Sequence, residues 1–288
     1  MFGIGRLSTF TMEQALGIGG IDRNEAAYLL RSVTGRTLAQ IAAHSDERLT
    51  GKQARRFLKL VKRRRKGEPV AYLIGYREFY GFDFEISPAA LIPRPETELL
   101  VELALDRIAD QVPARVLDLG TGSGAIGISI AALRPLVTLV ALDRSVDCLA
   151  LARRNAQKLL ADPKRISFVR SDWYQALDSE RFDLIVCNPP YVARADPHLE
   201  QGDLRFEPRA ALEAGDDGLD AIRRVVAQAP QHLAAGGWLL FEHGYDQAET
   251  VRALLQSAGF SDLLAERDLA GIMRVAGGRW LQSRIGSH

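Results

Sequence analysis

Asn188-Pro189-Pro190-Tyr191 stands directly after Phe182-Asp183-Leu184-Ile185-Val186-Cys187. The apolar, β-branched run reads as a buried strand, and the two prolines forbid its continuation. The chain therefore leaves a strand end in a stiff turn that carries an amide, free carbonyls and an aromatic ring. Proline has no N–H, so the carbonyls of Asn188 and Pro189 meet no local competition, and the Asn188 side-chain oxygen is a further acceptor beside them. Two acceptors aimed at one point suit a planar –NH2 group, with Tyr191 as a flat wall against it. None of these residues titrates near neutral pH, so the turn is suited to orienting a nitrogen and not to removing a proton. The same residues can also be a Pro-Pro strand terminator beside a buried tyrosine, and taken alone they do not decide between the two.

A second cluster is Asp118-Leu119-Gly120-Thr121-Gly122-Ser123-Gly124, which follows an earlier apolar run and opens a helix. Glycines at alternate positions let the backbone turn tightly and approach a ligand closely. Gly122-x-Gly124-x-x-Gly127 satisfies the dinucleotide fingerprint. Asp-x-Gly-x-Gly-x-Gly is the methyl-donor form, and Asp118 supplies its acid, able to face a cationic ligand end where a pyrophosphate would be repelled. A tight strand–helix turn without ligand is the third reading. Asp143 closes the next strand, where a ribose-binding acid belongs in either nucleotide class. It could instead cap the following helix, although Ser145 is better placed for that. Ser171-Asp172-Trp173 ends a third strand. Asp172 can accept from an adenine amino group while Trp173 covers the ring, unless the indole is only a core aromatic. All four clusters fall at strand C-termini, the edge where open α/β sheets bind ligands.

The elements that must carry these groups alternate strand and helix from residue 115 onward, the pattern of a parallel sheet covered on both faces. Strands are expected at 115–119, 137–142, 166–169, 182–187 and 237–241, with shorter ones at 263–266 and 272–275. Helices are expected at 125–133, 146–160, 217–234 and 246–258. No helix separates the last two strands, which can pair as an antiparallel hairpin at the sheet edge. Upstream, helices begin at Thr11 and at Asp22, whose carboxylate can cap with Glu25 three residues on. A third runs over 50–66, with Ala54, Phe57, Leu58 and Val61 on one stripe. Alternating aromatics around Gly81 predict a β-hairpin. Proline and carboxylates open a helix at 96–109 with Leu99, Leu100, Leu103 and Ala104 inward. The expected division is a helical substrate-recognition domain over 1–70, a hairpin connector over 71–95 and a catalytic domain over 96–288.

The 288 residues are 47% hydrophobic and 25% charged, the balance of a globular protein with a sizeable core. No apolar run approaches the roughly 18 residues of a membrane span, and the N-terminus shows no secretory pattern. Cys148 and Cys187 are expected as buried, reduced thiols, and His44, His198, His232, His243 and His288 show no metal spacing. A cytoplasmic, metal-free chain is expected. Its net charge of +1 hides an asymmetry: residues 1–66 carry 14 basic and 5 acidic side chains, so the remainder is acidic. Lys52 to Lys66 hold nine basic residues and no acidic one. Such a run is usually a solvated face, and the alternative is a surface for an acidic or RNA-bearing partner. Without interleaved aromatics, stable nucleic-acid binding is not expected.

Together with Gly67-Glu68-Pro69, Arg77-Glu78-Phe79, Ile92-Pro93-Arg94-Pro95-Glu96-Thr97-Glu98 and Gln201-Gly202-Asp203-Leu204-Arg205-Phe206-Glu207-Pro208, these motifs extend over nearly the whole chain. The chain resembles the S-adenosylmethionine-dependent release-factor glutamine methyltransferase family (protein-(glutamine-N5) methyltransferases, HemK type). The resemblance implies a Rossmann-like, seven-stranded class I methyltransferase sheet behind a small helical domain and a hairpin connector. It implies S-adenosyl-L-methionine as donor and S-adenosyl-L-homocysteine as product. It implies as acceptor the glutamine of the Gly-Gly-Gln motif in class-one peptide-chain release factors, hence a role in translation termination. Asn188, Pro189 and Tyr191 would then be catalytic, with Pro190 joining them at the substrate. Asp118, Gly120, Thr121, Gly122, Ser123, Gly124, Asp143, Asp172, Trp173 and Asn188 would bind the donor. The stretch from Gln201 to Pro208 is a candidate lid. A monomer with no membrane partner is expected. The rivals are an adenine-N6 or cytosine-N4 DNA methyltransferase, whose acceptor is also a planar –NH2, and a non-catalytic cofactor-binding scaffold.

Overall fold

The computed structural model describes residues 10–281. Two compact units form: residues up to Tyr76 with Gly202–Phe206, and Arg77–Gln201 with the chain from Glu207 onward.

The first unit is helical: α1 (Met12–Leu16), α2 (Arg23–Thr34), α3 (Leu38–Ala43), α4 (Gly51–Arg64) and α5 (Val70–Ile74). Thr11, Asp22, Thr37 and Thr50 each cap a helix, with a Gln or Glu three residues on reaching back to the cap N–H. Reciprocal caps of this kind satisfy two donors that a helix start leaves free. Two short helices, α3 and α5, were not expected: the Gly35 break hides a new cap at Thr37, and α5 spans only five residues. On α4 the buried stripe is Ala54, Phe57, Leu60 and Val61, so Leu60 takes the place expected for Leu58. Arg64 turns away from the solvated basic face and bonds Glu25 (2.6 Å) and Asp203 (2.8 Å).

The second unit begins within the predicted hairpin, β1 (Tyr76–Phe79) and β2 (Phe82–Glu85), which turns at Gly81 with φ +80°. A 3-10 turn at Pro95–Thr97 leads into α6 (Glu98–Leu105). This helix is shorter than the expected 96–109: beyond Leu105 the chain tightens into i→i+3 bonds (Arg107 N–H to Ala104, Ile108 N–H to Leu105), and the Arg134 guanidinium donates to the carbonyls of Leu105 (2.9 Å) and Ile108 (3.0 Å). Its buried residues are Leu100, Val101 and Ala104, whereas Leu99 and Leu103 are only half-buried.

There follow β3 (Ala114–Leu119), α7 (Ala125–Leu133), β4 (Val137–Asp143), α8 (Val146–Leu159), β5 (Ile166–Arg170), β6 (Phe182–Cys187), α9 (Asp220–His232), β7 (Leu233–Glu242), α10 (Ala248–Ser257), β8 (Ser261–Arg267) and β9 (Met273–Arg279). The seven strands lie in the order β5-β4-β3-β6-β7-β9-β8. The first five are parallel; β9 runs antiparallel between β7 and β8. Central strands of such a sheet are covered on both faces, which is why β3 and β6 read as near-continuous apolar runs. Leu117, Leu119, Ile185 and Phe241 sit in one buried cluster with Ile222 and Val225 of α9. The chain moves outward from β3 through β4 to β5, then returns to β6 on the other side. That reversal opens a crevice at the carboxyl ends of β3 and β6.

Candidate active site

A cavity of about 290 Å³ occupies this crevice. Gly120, Thr121, Gly122 and Ser123 form its floor after β3. Gly120 and Gly122 have φ of +72° and +56°, a region that side-chain-bearing residues rarely adopt. A Cβ at Gly120 would meet nothing within 4 Å, so its surroundings are open. Asp143 ends β4 at the same cavity, its Oδ2 accepting the Gly122 N–H (3.0 Å) and its Oδ1 the Ser145 N–H (2.8 Å). Ser145, not Asp143, caps α8. Burial raises the Asp143 pKa above its ordinary value, against those two amide hydrogen bonds. Each of its oxygens keeps a lone pair for a ligand hydroxyl.

Asp172 and Trp173 line the cavity beyond β5. Trp173 has φ +54°, a conformation that costs on the order of 1–3 kcal/mol outside glycine and collects at ligand sites. Ser171 holds the turn: its hydroxyl donates to the Trp173 carbonyl (2.6 Å) and accepts from the Ala176 N–H (3.0 Å). The indole is half-buried at the cavity and is not a wholly enclosed core aromatic.

Asn188 and Pro190 reach the cavity from the end of β6. The Asn188 side-chain NH2 donates to the Thr97 hydroxyl (3.2 Å), which donates to Glu242 Oε2 (2.6 Å). Tyr191 donates its hydroxyl to Glu242 Oε1 (2.8 Å). Burial raises the Glu242 pKa, opposed by these two hydrogen bonds. Burial, with Glu242 beside it, pushes the Tyr191 phenol far above its usual range. Among the described residues no donor reaches the Asn188 Oδ1 or the Pro189 carbonyl.

Four expected site residues are absent from the lining: Asp118, Gly124, Pro189 and Tyr191. Asp118 is 1% exposed, and its Oδ2 accepts from the Thr121 hydroxyl (2.6 Å) and the Gly127 N–H (3.1 Å). Burial raises its pKa to about 6, and its Oδ1 has no partner. It braces the glycine turn from below and does not face the ligand space. Gly124 caps α7. Pro189 is buried. The Tyr191 side chain is partly buried against the core cluster that holds Phe241, and its hydroxyl bond to Glu242 anchors the turn. His243 is wholly buried, with Nδ1 on the Gly244 carbonyl, and does not line the cavity.

Sequence reasoning passed over Thr97, Glu242 and the role of Glu207. Glu207 accepts from the Ile92 N–H (3.0 Å) and from the Arg94 guanidinium, pinning the segment that brings Leu91, Pro93 and Thr97 to the cavity. Of the expected lid, Pro208 borders the cavity, while Gly202–Phe206 belong to the other unit. For Glu242 the sequence signal was a carboxylate at a strand end, which cannot name its partner. Cys148 and Cys187 are free, buried thiols. Among the described residues no cluster of His, Cys, Asp or Glu could hold a metal, and no helix is long and apolar enough to cross a membrane.

The donor set suits an adenosyl ligand: glycines open to the cavity, a carboxylate after β4, and a carboxylate with an indole after β5. Solved structures agree on the architecture. A methyltransferase from Pyrococcus furiosus matches with TM-score 0.54 at 15% identity, over 81% of this chain and 100% of that one. The hMettl16 catalytic domain matches with TM-score 0.56 at 17% identity, over 80% and 82%. Fold and site thus define a class I methyltransferase. Family models match over residues 96–203 (Methyltransferase small domain) and 13–75 (PrmC N-terminal domain). The release factor glutamine methyltransferase of Burkholderia pseudomallei is 53% identical over 94% of this chain and 97% of its own; that of Escherichia coli is 47% identical over 90% and 93%. The chain belongs to the release factor glutamine methyltransferase family.

Proposed function

We propose that the chain transfers a methyl group from S-adenosyl-L-methionine to the side-chain amide nitrogen (N5) of the glutamine in the Gly-Gly-Gln motif of class-one peptide-chain release factors, acting in the cytoplasm on translation termination. One observation carries the site assignment: Asn188 turns its NH2 group to Thr97 and leaves its oxygen unpaired at the cavity that Gly120–Ser123 also line.

An amide nitrogen is a poor nucleophile, because its lone pair is delocalised into the carbonyl. A general base does not remedy this, since the neutral amide is far too weak an acid. S-adenosyl-L-methionine supplies an electrophilic methyl on a sulfonium. Gly120, Gly122 and Asp143 hold its ribose side, and Asp172 and Trp173 its adenine. The Asn188 oxygen and the Pro189 carbonyl accept the two N–H bonds of the glutamine and pin the nitrogen. Most of the rate then comes from holding the reacting atoms in line. Tyr191 fixes the turn through Glu242, and Pro190 closes the cavity wall beside Asn188. The proton released after transfer passes to water. Residues 1–70 serve substrate recognition, 71–95 connect, and 96–288 carry the chemistry.

Labelled S-adenosyl-L-methionine incubated in parallel with release factor, DNA and a bystander protein tests the proposal. Label in the release-factor glutamine alone is expected. Label in DNA, or in none of the three, would overturn it.

A further inference from the structure

We propose that Glu242 is a positioning residue that, through Thr97, sets the hydrogen-bond polarity of Asn188 and thereby makes the site select a carboxamide over a carboxylate. The inference rests on the activity proposed above and adds to it the origin of its specificity for glutamine over glutamate.

Which end of an asparagine amide points where is decided by its hydrogen-bond network. An ionised carboxylate has no hydrogen to give and only accepts. Glu242 is 1% exposed at the end of β7, and two hydroxyls, of Thr97 and Tyr191, converge on its separate oxygens at 2.6 and 2.8 Å. Each hydroxyl owns a single hydrogen, and the carboxylate claims both. Thr97, 3% exposed, is thereby left as an acceptor toward its other neighbour, the Asn188 amide at 3.2 Å. Asn188 can satisfy that acceptor only with its NH2 end. Its oxygen must then point the other way, into the cavity. A relay of three residues on three elements, the turn before α6, the end of β6 and the end of β7, thus converts one buried carboxyl group, accepting on both oxygens, into the direction of one amide.

The consequence is chemical discrimination. A glutamine NH2 offers two hydrogens to the Asn188 oxygen and the Pro189 carbonyl. A glutamate carboxylate in the same place offers none, and faces two acceptors at hydrogen-bond distance. A site built to pair with a hydrogen-bonding group rejects an analogue lacking it strongly, because buried polar groups are then left unpaired. If the polarity of Asn188 were free, its NH2 could turn inward and welcome the carboxylate.

Three variants test this in the full-length enzyme: Glu242→Gln, which is isosteric but can donate; Thr97→Val, which removes the hydroxyl and keeps the shape; and Thr97→Ser, which keeps the hydroxyl. The readouts are kcat and KM with release factor, S-adenosyl-L-methionine affinity by calorimetry, and inhibition by release factor carrying Gly-Gly-Glu in place of Gly-Gly-Gln. E242Q and T97V are expected to lose at least tenfold in kcat with donor affinity within twofold of wild type. The ratio of the Gly-Gly-Glu inhibition constant to the Gly-Gly-Gln KM is expected to fall at least tenfold in both, and T97S to restore it. A merely structural role would not move that ratio. An unchanged ratio in T97V, which does not depend on E242Q folding, would overturn the relay. Failure of the wild-type protein to methylate glutamine at all is a different result, and would remove the activity on which the relay rests.

Discussion

Replacing Asp118 by asparagine should change how stability depends on pH. Asp118 lies beneath the glycine turn at 1% exposure, and burial raises its pKa from 3.8 to about 6. The Thr121 hydroxyl and the Gly127 N–H oppose that rise without cancelling it, and Oδ1 is left with no partner. Between the unfolded and folded pKa values the folded chain holds more protons than the unfolded one, so stability falls as pH rises through this window. The contribution is fully present below 3.8 and lost above about 6. A shift of about two units at about 1.4 kcal/mol each amounts to roughly 3 kcal/mol. Asparagine can keep both accepted hydrogen bonds through its oxygen, and its NH2 would occupy the unpartnered side. An unpaired buried donor costs on the order of 1–3 kcal/mol at every pH. Relative to wild type, Asp118→Asn is therefore expected to gain roughly 3 kcal/mol between pH 4 and pH 7.5. Urea unfolding of both proteins at several pH values measures the difference, in which titrations common to both cancel. A wild-type-minus-variant difference independent of pH would refute a buried, proton-binding Asp118.

The other predictions concern the cavity. Asn188→Ala is expected to lower kcat by about a hundredfold to a thousandfold, the scale of removing one preorganised polar group from a reacting centre, while calorimetry finds donor affinity nearly intact; wild-type turnover would remove Asn188 from the mechanism. Asp143→Ala should weaken S-adenosyl-L-methionine binding by about tenfold to a hundredfold, the loss of charge-assisted hydrogen bonds worth about 1.5–3 kcal/mol, and unchanged affinity would take Asp143 out of the donor site. Trp173 is the tryptophan that lines the cavity, so Trp173→Phe should abolish the donor-induced change in indole emission; persistence of the signal would place the donor elsewhere. Gly127→Ala would put a Cβ at 2.7 Å from both Asp118 Oδ2 and Leu139 Cδ2. Overpacking of this kind costs about 1–3 kcal/mol, read as a lower urea midpoint, and a wild-type midpoint would show the turn has room to give.

What the chain discloses before folding, and what it withholds, divides along a physical line. Glycine, proline and alternating apolar residues act over a few positions, so β3 to β6, the turn at Gly120–Gly124 and the acceptor turn at Asn188 could be read from local pattern alone. The direction of a side chain on a strand buried on both faces cannot. Asp118 sits between Leu117 and Leu119, both fully buried, and nothing in that alternation tells whether the acid faces ligand space or the underside of the turn. Tyr191 poses the same question: an aromatic after two prolines can wall a pocket or anchor in a core, and the Glu242 that takes its hydroxyl lies 51 positions away. Thr97 meets Asn188 across 91 positions and Glu242 across 145, and Glu207 meets the Ile92 N–H across 115. These are buried polar groups whose cost is offset only by partners delivered by the tertiary fold. Periodicity carries no information about such partners, because a carboxylate at a strand end looks the same whether it binds a ligand, a cation or two hydroxyls. The residues that orient the acceptor turn are for this reason less legible than those that form it, although the direction of the Asn188 amide depends on both.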